Sequence, residues 1–102
     1  MKIYKVEIGK SARNDLEVLS DFHAYNMTLE GAWRYKVAMR DEIMSLSIYA
    51  DLYHTSRYDD IRRFHPLARR MVSHNKKWVY IFHVEEDVVV VDRIYPEKMI
   101  AK

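Results

Sequence analysis

Two blocks of strand-forming residues constrain this chain more than anything else in it. They are Trp78–Val84 (WVYIFHV) and Val88–Tyr95 (VVVVDRIY), separated by Glu85-Glu86-Asp87. β-Branched and aromatic residues at nearly every position fit strands covered on both faces, because a half-solvated strand would alternate polar and apolar. The acidic link is too short for a parallel crossover, so the two blocks form an antiparallel hairpin. Both strands are therefore expected to be central in a sheet, and the rest of the chain must supply edges and cover.

The N-terminal segment Lys2–Ile8 alternates charged residues with Ile3, Val6 and Ile8, which predicts a first strand ended by Gly9-Lys10. Ser11 is a suitable N-cap for a helix running to Tyr25 or Asn26, with Asp15 and Glu17 near its positive end. Ala12, Leu16, Leu19, Phe22 and Tyr25 recur every three or four residues and form its inward stripe. Thr28 reads as the next N-cap, with Glu30 in the first turn. The second helix carries Ala32, Tyr35, Met39, Ile43 and Leu46, widened by Trp33, Val37 and Met44, and ends by Ser47 or Tyr49. So short a link between two amphipathic helices implies an antiparallel hairpin.

Residues 50–60 lose the helical period and read as a loop. Ile61–Phe64 is a short strand candidate interrupted by His65-Pro66, since proline cannot donate to a ladder. Ala68–Ser73 resumes as strand. A turn at Ser73-His74-Asn75-Lys76, with Asn75 in the left-handed region, leads into the hairpin. Pro96 ends the last strand and a short tail follows. The order is β-α-α-β-β-β: an α+β domain of two layers, with a helical hairpin on a mainly antiparallel sheet of about four to five strands. At 102 residues, the whole of 1–102 forms one domain.

The absence of cysteine excludes disulfides, thiolate metal sites and a cysteine nucleophile. No apolar run approaches the ~20 residues that span a bilayer, and MKIYKVEIGK has no signal-peptide core, so a cytoplasmic location without membrane contact is expected. Nothing points to a metal or cofactor. The net charge is only +2, but it is unevenly spread: −1 over residues 1–56, +5 over 57–83 and −2 over 84–102. The basic window contains Arg62, Arg63, Arg69 and Arg70. Such a stripe can meet phosphate or an acidic partner, and it serves equally as a solvated face that protects an edge strand.

The order and residues together resemble the RelE/ParE superfamily of toxins from bacterial type II toxin–antitoxin modules, over nearly the whole chain. The resemblance is carried by Ser11-Ala12-x-x-Asp15-Leu16, Ile43-x-x-Leu46, Ile61-Arg62-Arg63-Phe64, the hairpin Val79–Val84, and the close Asp92-Arg93-Ile94-Tyr95. That close is similar to the Leu-Arg-Ile-Leu-His close of ParE-like proteins. The RelE-like close, glycine followed by basic residues, is replaced by Tyr95-Pro96-Glu97-Lys98. The resemblance implies a toxin of a plasmid stabilisation system, held by a cognate antitoxin in a hetero-oligomer. A ParE-like member would inhibit growth by binding DNA gyrase; a RelE-like member would cleave mRNA on the ribosome.

Fold does not choose between these activities, so the side chains must be weighed. Metal-free RNA cleavage needs a base, a cation for the phosphorane and a proton donor. The candidates are Arg69, His74, Lys77 and Arg93. His83 reads as a satisfied core histidine and His65 as a turn residue. For binding a target or partner, the candidates are Arg62, Arg63, Arg69, Arg70, Arg93 and Tyr95. Alternation sends Arg69 and Arg70 to opposite faces. Arg93 is expected either to meet a target or to pair with a carboxylate such as Asp15 or Asp59. Trp33, Tyr35, Met39 and Met44 offer an apolar groove for an antitoxin helix, although most of them fit the core, with Trp33 and Met44 the outward candidates.

Overall fold

The structure, a computed structural model, describes residues 2–97. The chain runs β1 (Lys5–Ile8), α1 (Lys10–Asn26), α2 (Leu29–Met44), α3 (Leu46–Tyr49), a 3-10 turn (Ala50–Leu52), α4 (Asp59–Arg62), β2 (Arg69–Val72), β3 (Trp78–Glu85) and β4 (Val88–Pro96). The four strands lie in the order β1-β4-β3-β2, with β1 parallel to β4 and the other pairs antiparallel. The dense hairpin is thus central, as its composition requires.

The main core lies between the sheet and the helices. Tyr80, Phe82, Val89, Val91 and Ile94 from the central strands meet Ala12 and Leu16 of α1, Met39 and Ile43 of α2, and Leu46 of α3. The opposite face of the sheet is covered by a smaller cluster of Ile61, Ala68, Val79 and Ile81, with Phe64 and Tyr95 packed against it. Full burial of a side chain like Ile61 contributes about 1.5–3 kcal/mol.

That second cluster corrects the expected strand at Ile61–Phe64, which is the short helix α4 and the turn after it. Ile61 and Phe64 are three residues apart, so a helical turn points both at the sheet, whereas a strand would separate them. Asp59 and Asp60 occupy the first turn of this helix, where carboxylates favour its positive end.

Two local expectations also change. Gly9, not Ser11, stands before α1: its carbonyl accepts from Arg13 N–H at 2.8 Å while its own N–H reaches the Val91 carbonyl at 2.8 Å. A Cβ at Gly9 would meet that carbonyl oxygen at 2.9 Å, so close approach to β4 requires glycine here. In the turn before β3 the positive φ (63°) falls on Lys76. Asn75 instead uses its side chain, whose Oδ1 accepts from Ser73 Oγ at 2.6 Å and from Lys77 N–H at 3.0 Å. Thr28 caps α2 as expected, its Oγ1 accepting from Gly31 N–H at 3.0 Å.

The α1 stripe is buried only in its first half. Phe22 is 59% and Tyr25 90% exposed. Asp15, in the second turn of this 17-residue helix, already meets Ile94, two residues before β4 ends at Pro96, so the last turns of α1 run past the end of the strand. Trp33 and Met44 also face outward, and Met39 is core.

Candidate functional site

The β3–β4 pairing slips by one residue at Ile81/Phe82, so that Ile81 faces Arg93 and Phe82 faces Val91. Asp92 is the extra residue of this bulge. A bulge bends the strand and re-aims its side chains. Here it turns Asp92 and Arg93 to different partners. Asp92 accepts from His83 Nδ1 at 2.6 Å.

Arg93 is held by Asp15 of α1, with Nε to Oδ2 at 2.8 Å and NH2 to Oδ1 at 3.1 Å. Asp15 Oδ2 also takes the backbone N–H of Ile94 at 2.9 Å. β1 pairs with β4 only as far as Val91, so beyond it the edge of β4 has no strand partner there. Asp15 supplies the acceptor that a longer β1 would have provided. The carboxylate holds the Arg93 guanidinium above its ordinary pKa, against a smaller opposing effect of burial. Of the two expected fates for Arg93, this geometry is the structural pair with Asp15. Its guanidinium also lies 4.6 Å from the Tyr95 ring centre and 6.0 Å from that of Phe64, while Arg63 lies 4.8 Å from Phe64. Arg63, Phe64, Arg93 and Tyr95 therefore form one cationic and aromatic patch on the face away from the helical hairpin. Arg62 is exposed beside it on α4.

Arg69 and Arg70 do point to opposite faces, opposite Phe82 and Ile81 respectively. Arg69 NH1 donates to the Ala50 carbonyl at 3.1 Å and lies 3.5 Å from Asp51 Oδ1, which ties β2 to the 3-10 turn. Arg70 has no such engagement: its NH1 is buried without a hydrogen-bond partner among the described residues. His74 and Lys77 belong to the turn between β2 and β3, where His74 N–H donates to Glu42 Oε2 at 2.6 Å. The four nuclease candidates are thus spread over three places: Arg69 on the hairpin side, Arg93 on the other face, and His74 with Lys77 in the turn. Lys98 lies outside the described residues.

A histidine pair was not legible from spacing. His83, 6% exposed, places Nδ1 2.6 Å from Asp92 and Nε2 3.0 Å from Glu85, and the His65 ring stacks on it at 3.8 Å. His83 is the satisfied core histidine expected, and His65 its cover. Donor atoms of His65, His83 and Glu85 lie within 4.8 Å of one another. However, His65 Nδ1 accepts Leu67 N–H at 3.0 Å, which in the neutral ring puts the proton on Nε2. Metal ligation through Nε2 would break that bond, and parallel rings do not aim two lone pairs at one ion. These residues fit a hydrogen-bonded stack better than a metal site.

No protein-family model matches the sequence, and no curated protein matches it either. The architecture has a solved counterpart. It superposes with a TM-score of 0.75, over 92% of this chain and 96% of the other, on a chain of the structure described as the chromosomal ParDE TA system from P. aeruginosa, at 14% sequence identity. The fold is ParE-like. At this identity the ParE-like likeness is one of architecture, and the roles of single side chains rest on the geometry above. Among the described residues no helix is long and apolar enough to cross a membrane.

Proposed function

We propose that this chain is the toxin of a type II toxin–antitoxin pair, ParE-like, arresting growth by binding its target and neutralised by a cognate antitoxin. The observation that carries this reading is the shared architecture over nearly the full length of both chains, the solved one belonging to a ParDE toxin–antitoxin system. DNA gyrase is the inferred target, in the cytoplasm, and plasmid or chromosome maintenance the inferred context. The engagement of Arg93 by Asp15 and of Arg69 by Ala50 and Asp51 supports binding over catalysis, since neither cation is free to follow a scissile phosphate. The cationic and aromatic patch at Arg63, Phe64, Arg93 and Tyr95 favours the second reading, a RelE-like ribosome-dependent ribonuclease, because it could stack a base beside a phosphate.

Inducible expression in a bacterial host tests the proposal. Growth should stop on induction and resume when a small neighbouring reading frame is co-expressed. Unimpaired growth at a verified protein level would overturn it.

A further inference from the structure

A cleft of about 550 Å³ opens beside β2, between Arg70 and the loop 52–58. The loop is pinned there by Ser56 N–H donating to the Ala68 carbonyl at 2.8 Å, and its turn is closed by Tyr58 N–H donating to Ser56 Oγ at 3.2 Å. Two arginines line the cleft, Arg57 and the half-buried Arg70, together with His54. Among the described residues no carboxylate lines it. Neither arginine has an ion-pair or hydrogen-bond partner among them, and Arg70 NH1 is shielded from solvent as well. Arg69 and Arg93, the neighbouring half-buried arginines, each have a partner within the chain. Burying an unpaired guanidinium opposes folding unless an anion completes it.

We propose that this cleft is a docking site for one carboxylate side chain of a partner polypeptide, received by Arg70 with Arg57 and the hydroxyls of the loop. Two observations favour a single carboxylate over a nucleic acid strand. Asp51 and the pair Asp59-Asp60 flank the loop on either side, so successive phosphates would approach like charges while one isolated anion would not. Two exposed side chains at the otherwise polar rim, Leu52 and Tyr58, offer apolar surface that apolar side chains beside a peptide carboxylate would cover. A guanidinium fork matches carboxylate geometry. The site does not depend on whether that polypeptide is an antitoxin, a growth target or neither.

The test uses the purified full chain and NMR detection of Arg70 Nε–Hε and the backbone amides of residues 55–58. The probes are a blocked hexapeptide with one glutamate among leucine and serine residues, its glutamine counterpart, inorganic phosphate and a single-stranded oligonucleotide. The glutamate peptide should shift these signals saturably, and the glutamine peptide should bind about tenfold more weakly or worse, as loss of a charge-assisted pair implies. Arg70→Met should lose the response while its Tm stays level or rises, because an unpaired buried cation has been removed. No shift with the glutamate peptide, equal binding of the glutamine peptide, phosphate alone reproducing the response at the same concentration, or tighter oligonucleotide binding at these signals would each overturn the proposal. The glutamate–glutamine comparison on the unaltered chain decides the matter should that variant fail to fold.

Discussion

Asp15→Ala should be among the most damaging single substitutions outside the apolar core. It removes three acceptor contacts at once: two from Arg93 and one from the Ile94 backbone. Leaving the Ile94 N–H unpaired costs about 1–3 kcal/mol. Breaking a fully buried ion pair costs about 3–5 kcal/mol. The Arg93 side chain is 31% exposed, against 14% for Asp15, and keeps its contact with Tyr95, so water and the ring offset much of that loss. A total of about 2–4 kcal/mol results, or a fall in Tm on the order of 10–20 °C for a domain of this size. Asp15→Asn keeps an acceptor for Ile94 and should lose about half as much. Urea denaturation of both variants, with Arg93→Met and the double variant, closes a cycle whose coupling energy should be about 1–3 kcal/mol. A loss below about 1 kcal/mol for Asp15→Ala, or purely additive effects with Arg93→Met, would refute the view that Asp15 extends the sheet edge.

Gly9→Ala puts a methyl group 2.9 Å from the Val91 carbonyl oxygen and should destabilise by about 1–3 kcal/mol, read from the urea midpoint. Ile61→Ala should cost about 2–5 kcal/mol by thermal or urea unfolding, which would show that α4 builds a true second core. Lys36, 2.8 Å from Glu17, links α2 to α1 and holds the Glu17 carboxyl below its ordinary 4.5. The folded value is depressed, so this contribution is present above pH 4.5 and is lost as pH falls through the folded value. Lys36→Met should therefore flatten the acid limb of the stability–pH curve slightly.

The hairpin was legible because twelve of its positions carry the signal redundantly: Trp78–Val84 and Val88–Val91 with Ile94 and Tyr95 are all apolar or aromatic apart from His83. Central placement then followed from composition alone. Ile61–Phe64 misled because four residues cannot distinguish a strand from one helical turn, although the spacing of its two apolar residues carried the answer. Phe22 and Tyr25 misled for a tertiary reason, since a stripe does not record where the sheet beneath it ends. At the site, the opposed directions of Arg69 and Arg70 follow from strand period. The choice of Asp15 over Asp59 for Arg93 depends on a bulge and on where β1 stops, neither of which has a local sequence signature. The stacking of His65 on His83, eighteen residues away, depends likewise on how α4 and its turn fold back on the sheet.

Growth arrest by binding a target is told apart from RNA cleavage by following reporter-plasmid topology and transcript integrity in the same culture after induction. Disturbed supercoiling before any transcript cleavage is the predicted result. Early cuts in translated mRNA, with plasmid topology unchanged, would contradict it.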